Sequence, residues 1–225
     1  VGGTLQLSFY VPKDALIETV ADLKGKRIPT DYPGTPIVRL SSTAALATAG
    51  FTYSDIVKVP VSDLQAGAQA FLEGRTDAGW HTVGSPAVEE ANARKGGVKF
   101  VSVISTTEGA RKMAEVYPGS YPRVLKAGSA TAVIKDTAFL TSDYYLVASK
   151  DLSDEAAYEI IKALWEYNQE LGAATAWSVI KRLFPITPER SNSSEKRGYG
   201  PRNWRPCRQN CLGNRDIDCY PAGDN

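Results

Sequence analysis

Strand and helix patterns alternate between residues 27 and 104, and this alternation constrains the fold more than any other feature of the sequence. Four short strand-like segments are separated by segments whose apolar residues recur every three or four positions. The predicted strands are residues 27–30, 57–61, 76–81 and 98–104, and the predicted helices are residues 35–49, 64–72 and 85–94. This order predicts βαβ units, and therefore an α/β fold with a parallel sheet.

The first helix carries an apolar stripe that predicts which of its faces is buried. Its members are spaced three or four residues apart, and they are Ile37, Leu40, Ala44 and Ala47. Gly50 follows as the predicted helix stop. We therefore expect this stripe to face the core.

The loops after the strands predict where a ligand binds, because ligands of such sheets lie beyond the carboxyl ends of the strands. The loop of residues 30–35 ends in a Tyr-Pro-Gly turn that opens a helix, whose free N–H groups would form a cradle for an anion. Pro36 suits the first helical position, because it has no N–H group to leave unpaired. The predicted ligand-binding residues of these loops and helices are Tyr32, Gly34, Thr35, Arg39, Trp80, His81 and Gly84.

Composition excludes several classes of function. The chain of 225 residues has a net charge of +1, which argues against a broad nucleic-acid-binding surface. No apolar run approaches the roughly 20 residues of a membrane span. The cysteines, Cys207, Cys211 and Cys219, have no fourth ligand nearby, so we predict no metal and no cofactor.

Catalytic motifs give little support to an enzyme. The sequence contains no GxSxG elbow, no HExxH pair and no nucleotide-binding glycine loop. The predicted function is therefore not enzymatic, and the alternative is an α/β enzyme that uses His81 as a general base on a small acid substrate. A third possibility is a non-functional or purely interacting α/β domain.

Residues 191–225 differ in composition from the rest of the chain. They hold all three cysteines, and Leu212 and Ile217 are their only aliphatic residues of core type. Six Lys and Arg residues against four Asp and Glu are too few for a confident nucleic-acid footprint. We predict a disordered or foreign tail. At the other end, the chain starts at Val1 directly before an apolar run, which predicts a processed or truncated start.

Six segments of the sequence resemble the TAXI family of solute receptors, the extracytoplasmic binding proteins of tripartite ATP-independent periplasmic (TRAP) transporters. In order, they are VADLKGKRI, YPGT, GFTYSDIVKVPVS, FLEGRTDAGW, VGSPAVEEA and DLSDEAAYEIIKALWE. The resemblance implies a type II periplasmic-binding-protein-like α/β fold, in which two lobes joined by hinge strands close on a small organic acid such as a dicarboxylate or amino acid. It also implies a periplasmic or extracytoplasmic monomer that delivers this ligand to membrane permease subunits.

The resemblance also implies how the chain is divided. Residues 22–104 would form a complete lobe with a parallel sheet, and residues 1–21 and 105–190 would belong to the other lobe, with the tail at 191–225. Hinge strands at residues 5–10 and 144–149 would put Tyr10 and Tyr144 near the cleft. Family members carry a further segment before the first hinge strand, so we expect the other lobe to be partial and the chain to be a fragment.

Overall fold

The computed structural model describes residues 4–144 and 147–167. The strands in these ranges are β1 (Thr4–Pro12), β2 (Arg27–Asp31), β3 (Val57–Val61), β4 (Gly79–Thr82), β5 (Val98–Phe100), β6 (Tyr121–Leu125) and β7 (Thr137–Asp143). The helices are α1 (Pro36–Ala47), α2 (Leu64–Leu72), α3 (Pro86–Arg94), α4 (Thr107–Val116) and α5 (Asp154–Glu166), with a 3₁₀ turn at Val20–Leu23. The predicted α/β class is confirmed.

The first strand organises the five-stranded sheet. Residues 4–7 of β1 pair with β7, residues 7–10 pair with β4, and residues 10–12 pair with β5, all antiparallel. β6 extends the sheet by pairing antiparallel with β7. β1 has neighbours on both edges and is buried along most of its length, and it buries the polar residues Gln6 and Ser8 together with its apolar ones.

Parallel pairing is confirmed for β2 and β3, which align from Arg27 opposite Val57 to Asp31 opposite Val61. β4 and β5 differ from the expectation, since both pair antiparallel with β1. The antiparallel pairing arises because β1, which precedes the alternating region in the sequence, lies between β4 and β5 in the sheet. β4 still starts beside β2, because the N–H groups of Arg27 and Asp77 each donate to the other residue at 2.8 Å.

The buried face of α1 overlaps the predicted one only in part, since Ala44 is buried as expected. Ile37 is 54% exposed and Leu40 is 37% exposed, so their assignment to the core was wrong. The buried residues are Val38, Ser41, Ser42, Ala44, Ala45 and Leu46. The sequence of α1 contains two overlapping stripes that could be buried. The stripe with more small residues faces α4 and β1, and its small side chains allow these elements to pack closely.

Two core clusters lie on opposite faces of β1, because successive side chains of a strand point to opposite sides. Phe9 belongs to the first cluster and packs edge-to-face on Trp80, with ring centroids 4.7 Å apart. Tyr10 belongs to the second cluster and packs edge-to-face on Phe71 at 4.8 Å. Aromatic pairs in this geometry add about 0.5–1.5 kcal/mol beyond their burial.

The strand that returns beside β1 is β7, and it ends at Asp143. The predicted strand at residues 144–149 is therefore wrong for residues 144 and 147–149, which are not in a strand, while residues 145 and 146 lie outside the described residues. Thr137, Thr141 and Ser142 are buried in β7, and these polar residues at buried positions obscure the apolar pattern by which a strand is recognised in the sequence.

The elements from β1 to β7 form one compact unit, Thr4–Tyr144, and α5 belongs to a second unit. α5 begins at a Ser153 cap, whose hydroxyl accepts a hydrogen bond from the Ala156 N–H at 3.2 Å. In the part of the chain that is described, no helix combines the length and the apolar character that crossing a membrane requires. The lobe boundaries stay a prediction, and the predicted tail of residues 191–225 lies outside the described residues.

Candidate functional site

The turn between β2 and α1 has an unusual backbone. Asp31 and Tyr32 have φ angles of 75° and 51°, in the left-handed region that residues other than glycine rarely adopt. The Tyr32 N–H donates to the carbonyl oxygens of Thr30 and Val61, at 3.1 and 3.2 Å. Strained residues persist only where the surrounding structure holds them, and they cluster at functional sites. The strain therefore marks this turn as a candidate site.

Hydrogen bonds attach the same turn to the loop after β3. The Gly34 N–H donates to the Ser62 carbonyl oxygen at 2.8 Å. A β-carbon at Gly34 would lie 3.1 Å from that oxygen, which explains why glycine fits this close approach. The predicted loop of residues 30–35 is thus in direct contact with residues 61–63.

The N-terminus of α1 lacks a side-chain cap. Thr35 is the N-cap residue, but its hydroxyl caps no N–H group, and its oxygen is buried without a hydrogen-bond partner among the described residues. By contrast, Asp63, Ser85 and Thr106 accept hydrogen bonds from the first turns of α2, α3 and α4 at 2.8, 3.4 and 3.1 Å. Within the first turn of α1, Pro36 has no N–H group and the Val38 N–H donates to the Thr35 carbonyl oxygen at 2.9 Å, so among the described residues the Ile37 N–H is the donor near the N-terminus that is left for another partner.

Three more polar groups of this region are buried without a partner in the described part of the chain. They are the hydroxyls of Thr30 and Tyr32 and the Nε1–H of Trp80. Burial raises the pKa of Tyr32, so its hydroxyl stays protonated and can donate. Native structures leave few buried polar groups unpaired. Two of these three groups lie at the end of β2 and the third lies in β4, and their lack of partners calls for an explanation.

The structure places several predicted ligand-binding side chains in the core. Tyr10, Tyr32 and Trp80 are almost completely buried. The Tyr32 ring packs on α2, where a β-carbon at Gly67 would lie 3.3 Å from it. Burial raises the pKa of Tyr10, whose hydroxyl is also unpartnered among the described residues. Direct ligand contact by these three side chains stays a prediction.

His81 is a partly buried, neutral imidazole. The Thr82 N–H donates to its Nδ1 at 2.9 Å, which leaves the proton on Nε2. Burial lowers the pKa of His81 to about 4. The side chain can therefore donate a hydrogen bond through Nε2, but it carries no positive charge near neutral pH.

The remaining predicted residues lie nearer the surface. Arg39 is exposed on α1, and Gly84 is exposed with a φ of 73° in the turn that leads to α3. Tyr144 follows the end of β7 and is partly buried, and this burial raises its pKa. The structure brings Tyr32, Gly34 and Thr35 together in one turn.

Sequence reasoning missed the roles of Thr30, Asp31 and Ser62 in this turn. The weak signal for Asp31 was its residue type, since aspartate tolerates the left-handed region better than most residues. Nothing in the sequence signalled the Ser62 carbonyl, because it acts through the backbone. Within residues 4–144 and 147–167, no group of three or more His, Cys, Asp or Glu could hold a metal ion, and the three cysteines lie outside these ranges.

Solved structures of periplasmic binding proteins are similar to this chain. SsuA from Escherichia coli, a periplasmic aliphatic sulphonate binding protein, has 16% identity and a TM-score of 0.40, and the match covers 85% of this chain and 54% of that one. A putative sulfonate-binding SsuA from Methylobacillus flagellatus KT has 20% identity and a TM-score of 0.44, with 89% and 51% covered. The substrate binding protein of an amino acid ABC transporter has 10% identity and a TM-score of 0.37, with 83% and 62% covered.

The chain spans only about half to three fifths of the length of these structures. Their low identities and TM-scores leave open what this chain binds. A protein-family model, described as the NMT1-like family, matches residues 4–182. This match covers well over half of the chain, and the chain therefore belongs to the NMT1-like family.

Proposed function

We propose that this chain is a solute-binding protein, or a part of one, that holds the carboxylate of a small organic acid at the turn between β2 and α1. The observation that carries the proposal is the uncapped N-terminus of α1, where the Thr35 hydroxyl is buried and unpaired among the described residues. A ligand carboxylate there would accept hydrogen bonds from this hydroxyl and from the Ile37 N–H, since the N–H groups of Gly34, Thr35 and Val38 already donate to carbonyl oxygens of the chain.

Binding at this position needs no covalent chemistry. A carboxylate at a helix N-terminus gains roughly 0.3–1 kcal/mol from the helix dipole, and up to about 2 kcal/mol when partly buried. Each hydrogen bond to the charged group adds about 1.5–3 kcal/mol. The exposed Arg39, one turn into α1, would supply a counter-charge to the ligand.

The charges around the turn favour an amino acid over a dicarboxylate. Asp31 lies in the turn itself, and Asp63 lies beside Gly34, with its β-carbon 3.4 Å from a β-carbon built on that glycine. The hydrogen bond from the Ala66 N–H holds the pKa of Asp63 below its usual value, so this residue is ionised at neutral pH. These aspartates repel any ligand carboxylate, so a second carboxylate would add to a cost that the one at α1 already bears, whereas an ammonium group would be attracted.

The transport partner is the finer part of the proposal. The resemblance to TAXI receptors favours permease subunits of a TRAP transporter and an extracytoplasmic monomer, whereas two of the similar structures are described as proteins of ABC transporters. Uptake into vesicles that contain the cognate permease distinguishes a TRAP transporter from an ABC transporter, because TRAP transport proceeds without ATP. ATP-dependent uptake would contradict the TRAP assignment and leave ligand capture intact.

Calorimetry tests the ligand site. We expect an amino acid with a single carboxylate, such as glutamine, to bind more tightly than succinate or glutarate, and Thr35→Val to weaken binding about tenfold or more, since it removes a hydrogen bond to a charged group. Thr43→Val is the matched control, because that hydroxyl only donates to the Arg39 carbonyl oxygen of the same helix.

The panel is measured on this chain and on a longer version that carries the segment found before the first hinge strand in TAXI receptors. If neither version of the protein binds any compound of the panel, the proposal is overturned. Equal effects of the two threonine variants would show that Thr35 is not part of the site. Circular dichroism with a thermal melt checks that each version is folded, which also addresses the alternative of a non-functional domain.

No specific observation favours the enzyme alternative. The Nδ1 of His81 accepts from the backbone of the next residue, and within the described ranges no carboxylate hydrogen-bonds to its ring. A general base needs a pKa near the working pH, whereas burial lowers that of His81 to about 4. His81→Ala should alter ligand binding only modestly, and loss of a turnover reaction in this variant would support the enzyme instead.

A further inference from the structure

A groove of about 400 Å³ lies at the edge of the Thr4–Tyr144 unit opposite to the proposed carboxylate site. It is formed where β1 ends at Pro12, where β2 begins after Lys26, and where α2 and α3 end near Gly74 and Lys95. The proposed site lies at the other, carboxyl end of β2. The groove volume falls within the range of small-molecule sites, roughly 300–1,000 Å³.

One wall of the groove is apolar. Leu16, Ile17 and Phe71 line it, and the Leu16 side chain is 98% exposed. A single exposed leucine is common on protein surfaces, but this one stands at the mouth of a concave surface that continues inward to Phe71. An apolar body in the groove would cover the exposed Leu16 side chain, while Ile17 and Phe71 are already largely buried and form the floor beneath it.

The other wall is positively charged. Lys26 and Lys95 line it, and among the described residues neither ammonium group lies within 4.0 Å of a carboxylate. The Lys95 Nζ is 5.8 Å from the centre of the Phe71 ring, which places it over the apolar floor. Asp77, the acidic residue of the lining, is already paired with Arg27 at 2.6 Å. Asp77 also lies close enough to Lys26 for the lysine to lower its pKa, so the charged groups of the lining, Lys26, Lys95 and Asp77, leave a net charge of +1.

We propose that this groove binds a small organic anion with an apolar body, such as a medium-chain or aryl carboxylate. The carboxylate lies between Lys26 and Lys95, and the apolar body packs on Leu16, Ile17 and Phe71. A small molecule fits better than a protein segment, because specific protein interfaces bury roughly 800 Å² per partner, far more than a pocket of this size offers. The proposal is independent of the ligand at α1.

Titration with octanoate, followed by backbone amide NMR shifts of the complete chain, tests this site. We expect saturable shifts at Phe71, Gly74 and Lys95, and about tenfold weaker binding in the Lys26→Gln/Lys95→Gln variant. The control with the same change in net charge is Lys58→Gln/Lys150→Gln, since both residues are exposed and lie outside the groove. Octan-1-ol has the apolar body without the charge and should bind at least fivefold more weakly than octanoate.

Leu16→Ser keeps the test independent of folding, because a side chain that is 98% exposed contributes little to the core. It should weaken octanoate binding severalfold and leave the melting temperature unchanged. Absence of localised shifts, equal binding of octanoate and octan-1-ol, or equal loss in the groove and control variants would overturn the proposal.

Discussion

At the scale of single residues, the unit depends on close approaches between a glycine and an aromatic ring. Tyr10 is held between Phe71 and Phe100 in edge-to-face contacts, so its ring cannot move aside. The neighbouring strand passes so near that a β-carbon at Gly79 would lie 2.6 Å from Tyr10 Cε1. Glycine at position 79 is therefore required by packing and not by backbone conformation.

Gly79→Ala should destabilise the protein by about 2 kcal/mol or more, because overpacked cores must shift backbone and side chains. Urea unfolding followed by circular dichroism measures this change. Gly67→Ala is the matched control, since its β-carbon would meet the Tyr32 ring at a tolerable 3.3 Å and alanine favours the helix. Equal effects of the two substitutions would contradict this packing argument.

The single histidine gives the protein a defined pH dependence. Burial lowers the pKa of folded His81 to about 4, while the unfolded value is near 6.5. Between these values the unfolded state binds more protons, so the stability contribution is complete above about pH 6.5 and is lost as the pH falls toward 4. We expect a loss of about 2 kcal/mol between pH 7 and pH 5.

Unfolding free energies measured at both pH values for the wild type and His81→Gln check this expectation. The variant should lose clearly less stability over the same interval. An identical pH dependence in both proteins would show that His81 is not responsible.

At the site, the sequence correctly predicted a turn that opens a helix, because proline and glycine act locally. It could not show that Tyr10 and Trp80 point into the core, since the packing that buries them comes from distant Phe71 and Phe9. The predicted ligand contact of Tyr10 rests on the family resemblance, and that of Trp80 rests on its place at the end of a predicted strand.

At the scale of elements, a buried cation ties the loop after β1 to strand β5. The Lys99 side chain is buried and forms an ion pair with Glu18, and Glu18 also pairs with the more exposed Lys135. An isolated buried ammonium group is strongly unfavourable. Glu18 thus makes it possible for a lysine to occupy a buried strand position.

Glu18→Gln should destabilise the protein by about 1–3 kcal/mol. Breaking a buried pair costs roughly 3–5 kcal/mol, and the partial exposure of Glu18 reduces this value. Lys135→Gln should cost less than about 1 kcal/mol, because Lys135 is largely solvated. Chemical denaturation of both variants is the measurement, and a larger loss in the lysine variant would contradict the argument.

The predicted arrangement of strands and helices was correct where it depended on residues that are close in the sequence. The parallel pair β2 and β3 follows from a strand, a helix and a strand in sequence. The antiparallel pairing of β4 and β5 depends on β1, which lies about 70–90 residues away, so no local pattern carries it. The prediction of the buried face of α1 was wrong in part, because small residues in two stripes made both faces of the helix compatible with burial.

At the scale of the whole unit, β1 unites the sheet. It pairs with β4, β5 and β7, and it contributes side chains to both core clusters. Elements with this many non-local partners open only when the whole unit opens. The two-stranded sheet of β2 and β3 has no comparable connection through strand pairing.

Native-state hydrogen exchange should therefore find the slowest amides in β1, at Phe9, Tyr10 and Val11, with free energies close to that of global unfolding. Amides in the turn at residues 31–35 should exchange faster and become slower when a ligand occupies α1. If β2 and β3 were the slowest exchanging strands, the central role of β1 would be contradicted.

The pairing of Leu7 with Leu140 has a consequence for synthesis of the protein. More than a hundred residues must be translated after β1 before β7 can join it. At roughly 5–20 residues per second, one edge of an apolar strand waits on the order of ten seconds without its partner on the ribosome. β4 is translated earlier, but it pairs with the opposite edge of β1, so the edge that β7 later covers stays open to pairing with another chain during that time.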